Sequence, residues 1–390
     1  MLFLSRDVVS KPRLSDGAAT VKERLSRPDS APSQARADCA LRRFAILEKM
    51  QALVGVVSPR ADRGRKSAVT AMQEQPLSSI GAARPERVST AGLLLRAGFF
   101  VLTIWFGINL FGLLIHETLG YFPAATLSPF LAAALASAIV VRIYERGRLA
   151  DIGMGWSHAS GQQFWQGLAA GAASAALVTG AALLCGLATW VKNPDPAAAF
   201  GFGKLAMVSI LLLFGAVGEE LMFRGYAFQL LAGAFGLWRV TIPFAVLFAL
   251  MHLGNLDIGA PASAGHAALL GVNWVKLGSA WLGIFNTGLW GVLFCVAMWR
   301  SGALWLPIGL HFGWNIVLPL AGARLSGFTI VLTGYELRWT SSVWLSGGEY
   351  GPEASVLTTI VCALLLVWLW RSRLHRQPSL LLDAREEPTP

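Results

Sequence analysis

Forty consecutive residues, 152–191, contain no Asp, Glu, Lys or Arg. A helix at a water-facing surface needs a polar stripe along one side, and a stretch this long without formal charge has none to offer. Its apolar part, Phe164 to Trp190, spans 27 residues, more than the roughly 20 needed to cross about 30 Å of hydrocarbon. The stretch recurs in kind. Uncharged runs at 97–115, 124–141, 240–256, 277–299, 303–320 and 354–370 are joined by a run from Gly203 to about Leu231 whose interior charges are few. Charged residues are only 14% of the chain and mean hydropathy is +0.55, against about 25% charged in a soluble domain. The charged shell of a cytosolic globule is missing. The expectation is an all-α, polytopic transmembrane helical bundle of about eight spans, occupying 91–371.

Two tails flank that body. Residues 1–90 hold sixteen Lys/Arg against nine Asp/Glu and are rich in Ser, Pro and Ala, which predicts a largely disordered, solvated or lipid-associated leader. Its basic residues alternate with acids and lack aromatic partners, so no nucleic-acid partner is expected. Residues 372–390 are expected as a short C-terminal tail. Arg142, Arg146, Arg148, Arg239, Arg300, Arg371, Arg373 and Arg376 fall on one side of an eight-span arrangement, which predicts an integral membrane protein, bacterial inner membrane, with both termini in the cytoplasm. The opposite loops carry Glu117, Asp195, Asp257, Glu336, Glu349 and Glu353.

Ionisable groups within a span mark function or specific pairing. In GAVGEELMFRGY, 215–226, Glu219 follows fourteen uncharged residues. Glu220 and Arg224 are four apart and share a helix face, whereas Glu219 is rotated about 100° away and has no basic partner within a turn. One carboxylate is neutralised and the other left available. The three could instead simply lock the bundle by ion pairing. FALMH puts Phe248 and His252 on one face, LPIGLHFGWN puts His311 and Asn315 on another, and Asn286 lies in a further apolar run. Each of these alone is compatible with helix–helix bonding. Together they supply a base, oxyanion donors and an orienting cation, the parts that hydrolyse an amide. His116, His158, His266 and His375 are expected to be incidental. Gly167 with Gly171, and Gly309 beside Gly313, are small residues that permit close helix approach. No HExxH, GxSxG or GxxxxGK[ST] motif is present.

In order and spacing, Glu219-Glu220-Leu221-Met222-Phe223-Arg224, Phe248 to His252, Asn286 within FNTGLWG, and His311 to Asn315 within SGALWLPIGLHFGWN resemble the motifs of the CPBP family of intramembrane proteases. That family includes the CAAX prenyl endopeptidases and the bacterial Abi group. The resemblance covers about 92–370, with RLADIG at 148–153 similar to the family's linker. It implies an endopeptidase acting on a membrane-associated peptide or protein, possibly prenylated. Glu219 with His252 would activate a water, His311 and Asn315 would bind the oxyanion, and Glu220 with Arg224 would shape the site. No cofactor is expected, with zinc the runner-up and a metal-dependent endopeptidase the corresponding alternative. A non-catalytic scaffold or immunity protein and a transporter are the alternatives outside enzymology. The apparent conflict in this scheme is one of depth: the eight-span count puts Arg224 and His252 toward opposite membrane faces.

Overall fold

A computed structural model describes residues 88–195, 198–255 and 274–383. The expectations for the leader, for Asp257 and for His266 lie outside these residues. The chain forms α1 (Thr90–Leu119), α2 (Tyr121–Val140, extended by a π turn at Val141–Glu145), α3 (His158–Leu184), α4 (Phe202–Arg224), α5 (Tyr226–Phe235), α6 (Leu237–Met251), α7 (Trp274–Ser301), α8 (Trp305–Leu320), the four-residue α9 (Val343–Ser346) and α10 (Val356–Arg371). It is a largely helical membrane protein.

Six stretches among the described residues are long and apolar enough to cross a membrane: Thr90–Leu119, Tyr121–Glu145, His158–Leu184, Phe202–Phe235, Leu237–Asn255 and Gly278–Ser301. The expected count of about eight is corrected accordingly. α8 and α10 fill the other two positions, but each has 16 residues, about 24 Å of helix at 1.5 Å per residue and short of the hydrocarbon thickness. α8 is bounded by Gly302, at φ +69°, and by Pro319 with Gly322, at φ +73°.

Two strands also depart from an all-helical reading. β1 (Ala188–Lys192) pairs antiparallel with β2 (Tyr335–Trp339), Ala188 opposite Trp339 and Lys192 opposite Tyr335. The segment after α8 is thereby clasped to the exit of α3. The Trp190 indole strengthens the clasp by donating to the Ala321 carbonyl at 2.9 Å.

Glycines set the helix contacts that matter for the site. α3 and α8 form the most extensive helix pair. A Cβ on Gly167 or Gly171 would fall on the carbonyl oxygens of Leu306 and Leu310, and one on Gly309 or Gly313 on those of Phe164 and Leu168. The two small-residue stripes therefore face each other, and the backbones touch where any side chain would separate them. Gly218 lets α4 press on the Phe130 backbone of α2, one residue before Glu219.

The C-terminal segment is also more than a tail. Residues after α10 fold back, Gln377 donating to Gln163 at 2.8 Å and Ser379 to Gln229 at 2.9 Å. Leu381 and Leu382 are buried beside α5 in a cluster that includes Phe228 and Leu230.

Candidate active site

Glu219, Glu220 and Arg224 occupy the last turns of α4, which ends at Gly225 because the chain leaves helical geometry there, at ψ −129°. Arg224 is fully buried. Its guanidinium lies 3.5 Å from Glu220 Oε1 and donates to the Gly291 carbonyl at 3.0 Å. Phe248, Phe294 and Phe223 surround it, with ring centroids 4.4, 5.0 and 5.5 Å from the guanidinium carbon. A cation so desolvated is tolerable only with a counter-charge and aromatic faces around it.

Glu220 has a second partner that helical spacing did not reveal: His311 Nδ1 lies 2.8 Å from Oε1, closer than Arg224. This contact ties α8 to α4. The His311 ring also stacks on Phe294 at 4.8 Å and 16°. In His252, at the C-terminal end of α6, Nδ1 lies 2.8 Å from the Phe248 carbonyl. A carbonyl only accepts, so the Nδ1 proton is spent there and the neutral ring turns an Nε2 lone pair outward.

Both imidazoles point Nε2 at the same atom. Glu219 Oε2 lies 3.9 Å from His252 Nε2 and 3.8 Å from His311 Nε2. It has no hydrogen-bond partner among the described residues. These separations exceed direct hydrogen bonding and suit a small donor between the three atoms. A water there could donate one proton to Glu219 and one to a histidine, which is the arrangement for removing a proton from water as it attacks.

The trio sits in a cavity of about 540 Å³ whose walls are mostly apolar. Asn315, one turn beyond His311, lines it. Asn286 does not line it. Its amide donates to the carbonyls of Glu353 and Ser355 at 2.8 and 2.9 Å, and Thr359 donates to its oxygen at 2.7 Å. With every polar atom engaged on the approach to α10, it has nothing left for a substrate.

Three residues that sequence reasoning set aside line the cavity: His116, Glu117 and Glu353. Glu353 was counted with the solvent-facing loop acids but is 8% exposed. Its signal was its position two residues before Ser355, the cap of α10, where a carboxylate stands at the edge of an apolar helix. Burial holds its carboxyl above the ordinary value of 4.5, against the opposing hydrogen bonds from Ser326 and Trp314.

Among the described residues no group of three or more His, Cys, Asp or Glu is arranged to hold a metal ion.

Residues 201–317 match the family model described as Type II CAAX prenyl endopeptidase Rce1-like. The matched segment is similar to that family over less than a third of the chain, and it runs from before Glu219 to just past Asn315. No curated protein and no solved structure matches the chain.

Proposed function

We propose that this protein is an intramembrane endopeptidase that hydrolyses a peptide bond of a membrane-associated or lipidated substrate. The observation that carries the reading is the convergence of His252 Nε2 and His311 Nε2 on Glu219 Oε2, at 3.9 and 3.8 Å, in an apolar cavity. Glu219, with His252, takes a proton from the attacking water; the water oxygen bonds to the scissile carbonyl carbon. Asn315 donates to the oxygen that becomes negative, and so does His311 Nε2 when the ring carries a proton on both nitrogens, Nδ1–H being held by Glu220. The proton then passes to the departing amine as the C–N bond breaks. Glu220 and Arg224 act on His311 rather than on substrate: the carboxylate receives the Nδ1 proton and fixes which nitrogen faces the cavity.

The reading extends to an inner-membrane location with both termini cytoplasmic. Six spans and eight spans are both even, so the correction to the count leaves the predicted side of the termini unchanged. The test is cleavage of a fluorogenic farnesylated CaaX-type peptide in liposomes by intact and Glu219→Gln protein, with mass spectrometry of the products. Elemental analysis of the active preparation accompanies it. Equal turnover by both proteins would remove the assignment. A stoichiometric metal whose removal stops cleavage and whose return restores it would replace the water-activating carboxylate with a metal-dependent mechanism.

A further inference from the structure

Glu353 lies outside every motif of the site, on the 3₁₀ turn Pro352–Ala354 that leads into α10, yet it lines the same cavity as Glu219, His252, His311 and Asn315. Its two oxygens do different things. Oε1 accepts from the Trp314 indole at 3.2 Å. Oε2 accepts from the Ser326 backbone N–H and, at 3.0 Å, from the Ser326 hydroxyl. Its main-chain carbonyl is held by Asn286 of α7. One residue therefore joins α8, the 321–355 loop and α7 at the cavity wall.

Each attachment falls where it affects the proposed chemistry. Trp314 stands on α8 between His311 and Asn315, with its ring 4.8 Å from that of Trp290. Fixing its indole fixes the rotation of the face that presents the imidazole and the amide. Ser326 is one of two non-glycine residues among those described with a left-handed backbone, at φ +47°. Such a conformation is costly for a residue with a side chain and persists only where surrounding contacts impose it. The carboxylate imposes it from both the N–H and the O–H side, and holds Leu325, Ser326 and Phe328 as cavity wall.

Fold stability is a poor explanation for an acid in this position. A buried carboxylate loses hydration that an apolar side chain would not miss, and replacing buried ionic groups by well-packed apolar ones is often neutral or stabilising. What an apolar residue cannot do is accept from an indole and a serine at once; a carboxylate has about four lone-pair sites for that purpose.

We propose that Glu353 is a positioning residue for this site, acting through Trp314 on the orientation of His311 and Asn315 and through Ser326 on the facing wall. The positioning role rests on the peptidase reading for its effect on turnover, though not for its effect on geometry.

The experiment compares wild type, Glu353→Ala, Trp314→Phe and the double variant, each in liposomes with the farnesylated peptide. Trp314→Phe keeps an aromatic ring and removes the N–H, so it carries the test if Glu353→Ala fails to fold. Each single change should lower kcat about tenfold or more with KM within about twofold, as expected when an interaction that organises the transition state is lost. The double variant should be no worse than the worse single one, because both cut the same link. Unchanged kcat in either single variant, or losses that multiply, would overturn the proposal.

A second readout needs no turnover. Diethyl pyrocarbonate should modify His311 several-fold faster in Glu353→Ala and Trp314→Phe than in wild type, measured by mass spectrometry, while the remote His158 reacts equally in all. An unchanged His311 rate would overturn positioning even in an active enzyme. If wild type cleaves nothing, the peptidase reading falls and the His311 rate still decides the geometry.

Discussion

Glu219 and His252 stand 17 residues before and 16 residues after Gly236, the turn between α5 and α6, and their side chains come within 3.9 Å. The near-symmetry resolves the conflict of depth posed by the sequence. α4 stops at Gly225, but α5 carries the chain ten residues further, so Glu219 lies near the middle of the Phe202–Phe235 stretch rather than near its end. α6 then returns by almost the same number of residues. The near-equal chain lengths on either side of Gly236 bring the Glu219 carboxylate and the His252 imidazole level.

That register makes the pair act together. Glu219→Gln retains size but cannot take a proton, and His252→Ala removes the Nε2 that faces the same point. Both should reduce peptide turnover by at least about a hundredfold while the proteins remain folded in detergent. Turnover near wild type in either would remove that residue from the chemistry.

Glu220 and Arg224 are both fully buried. Removing one strands the other, at about 3–5 kcal/mol. Glu220→Gln and Arg224→Gln should each lower the unfolding temperature, and the double variant should recover part of the loss. Glu220→Gln should also slow turnover more than its stability loss explains, since it alters the partner of His311 Nδ1. Strictly additive losses in unfolding temperature would be incompatible with an ion pair.

Gly309→Ala places a methyl group on the Phe164 carbonyl across the α3–α8 contact. Overpacking of a close interface costs about 1–3 kcal/mol. The unfolding temperature should fall, and activity should fall with it because α8 carries His311. Gly203→Ala is the control, since a Cβ there meets nothing within 4 Å. Equal stability of the two variants would contradict the close approach.

Burial raises the Glu353 carboxyl above its ordinary value of 4.5, so the folded protein holds that proton more tightly than the unfolded chain. The stability associated with this group is fully present below the unfolded value and is lost as pH rises through the folded one. Unfolding temperatures of wild type and Glu353→Gln, measured from about pH 4 to pH 8, should therefore diverge, wild type losing ground as pH rises. His252, Tyr350, Trp314 and Ser326 face the group and are common to both proteins. A difference that stays flat, or that grows in favour of wild type, would contradict the assignment.

How much of this was legible in the sequence depended on distance along the chain. The i,i+4 relation of Glu220 and Arg224, the spacing of small residues within α3 and within α8, and the shared face of His311 and Asn315 are local, and helical geometry alone gives them. The Glu220–His311 bond joins residues 91 apart, and no periodicity encodes it. A buried amide in an apolar helix, such as Asn286, looks the same whether it meets a substrate or a loop carbonyl. Glu353 was missed for the opposite reason. An acid beside glycines and a proline looks solvated until the loop folds inward. Span counting failed at α8 and α10, where apolar runs of the right composition stop as helices after 16 residues.

The return of residues 372–383 across the ends of other helices has a practical side for anyone who handles the protein. A fluorophore, affinity handle or fusion partner joined directly after Arg371 would displace the strand of contacts that Gln377 and Ser379 make with Gln163 and Gln229. It would take from the side-chain oxygens of two buried amides the donors they now have, and expose the surface that Leu381 and Leu382 cover. Joined beyond Asp383, the same addition would leave those contacts intact. The last membrane helix is therefore not the boundary at which this chain can be cut or extended.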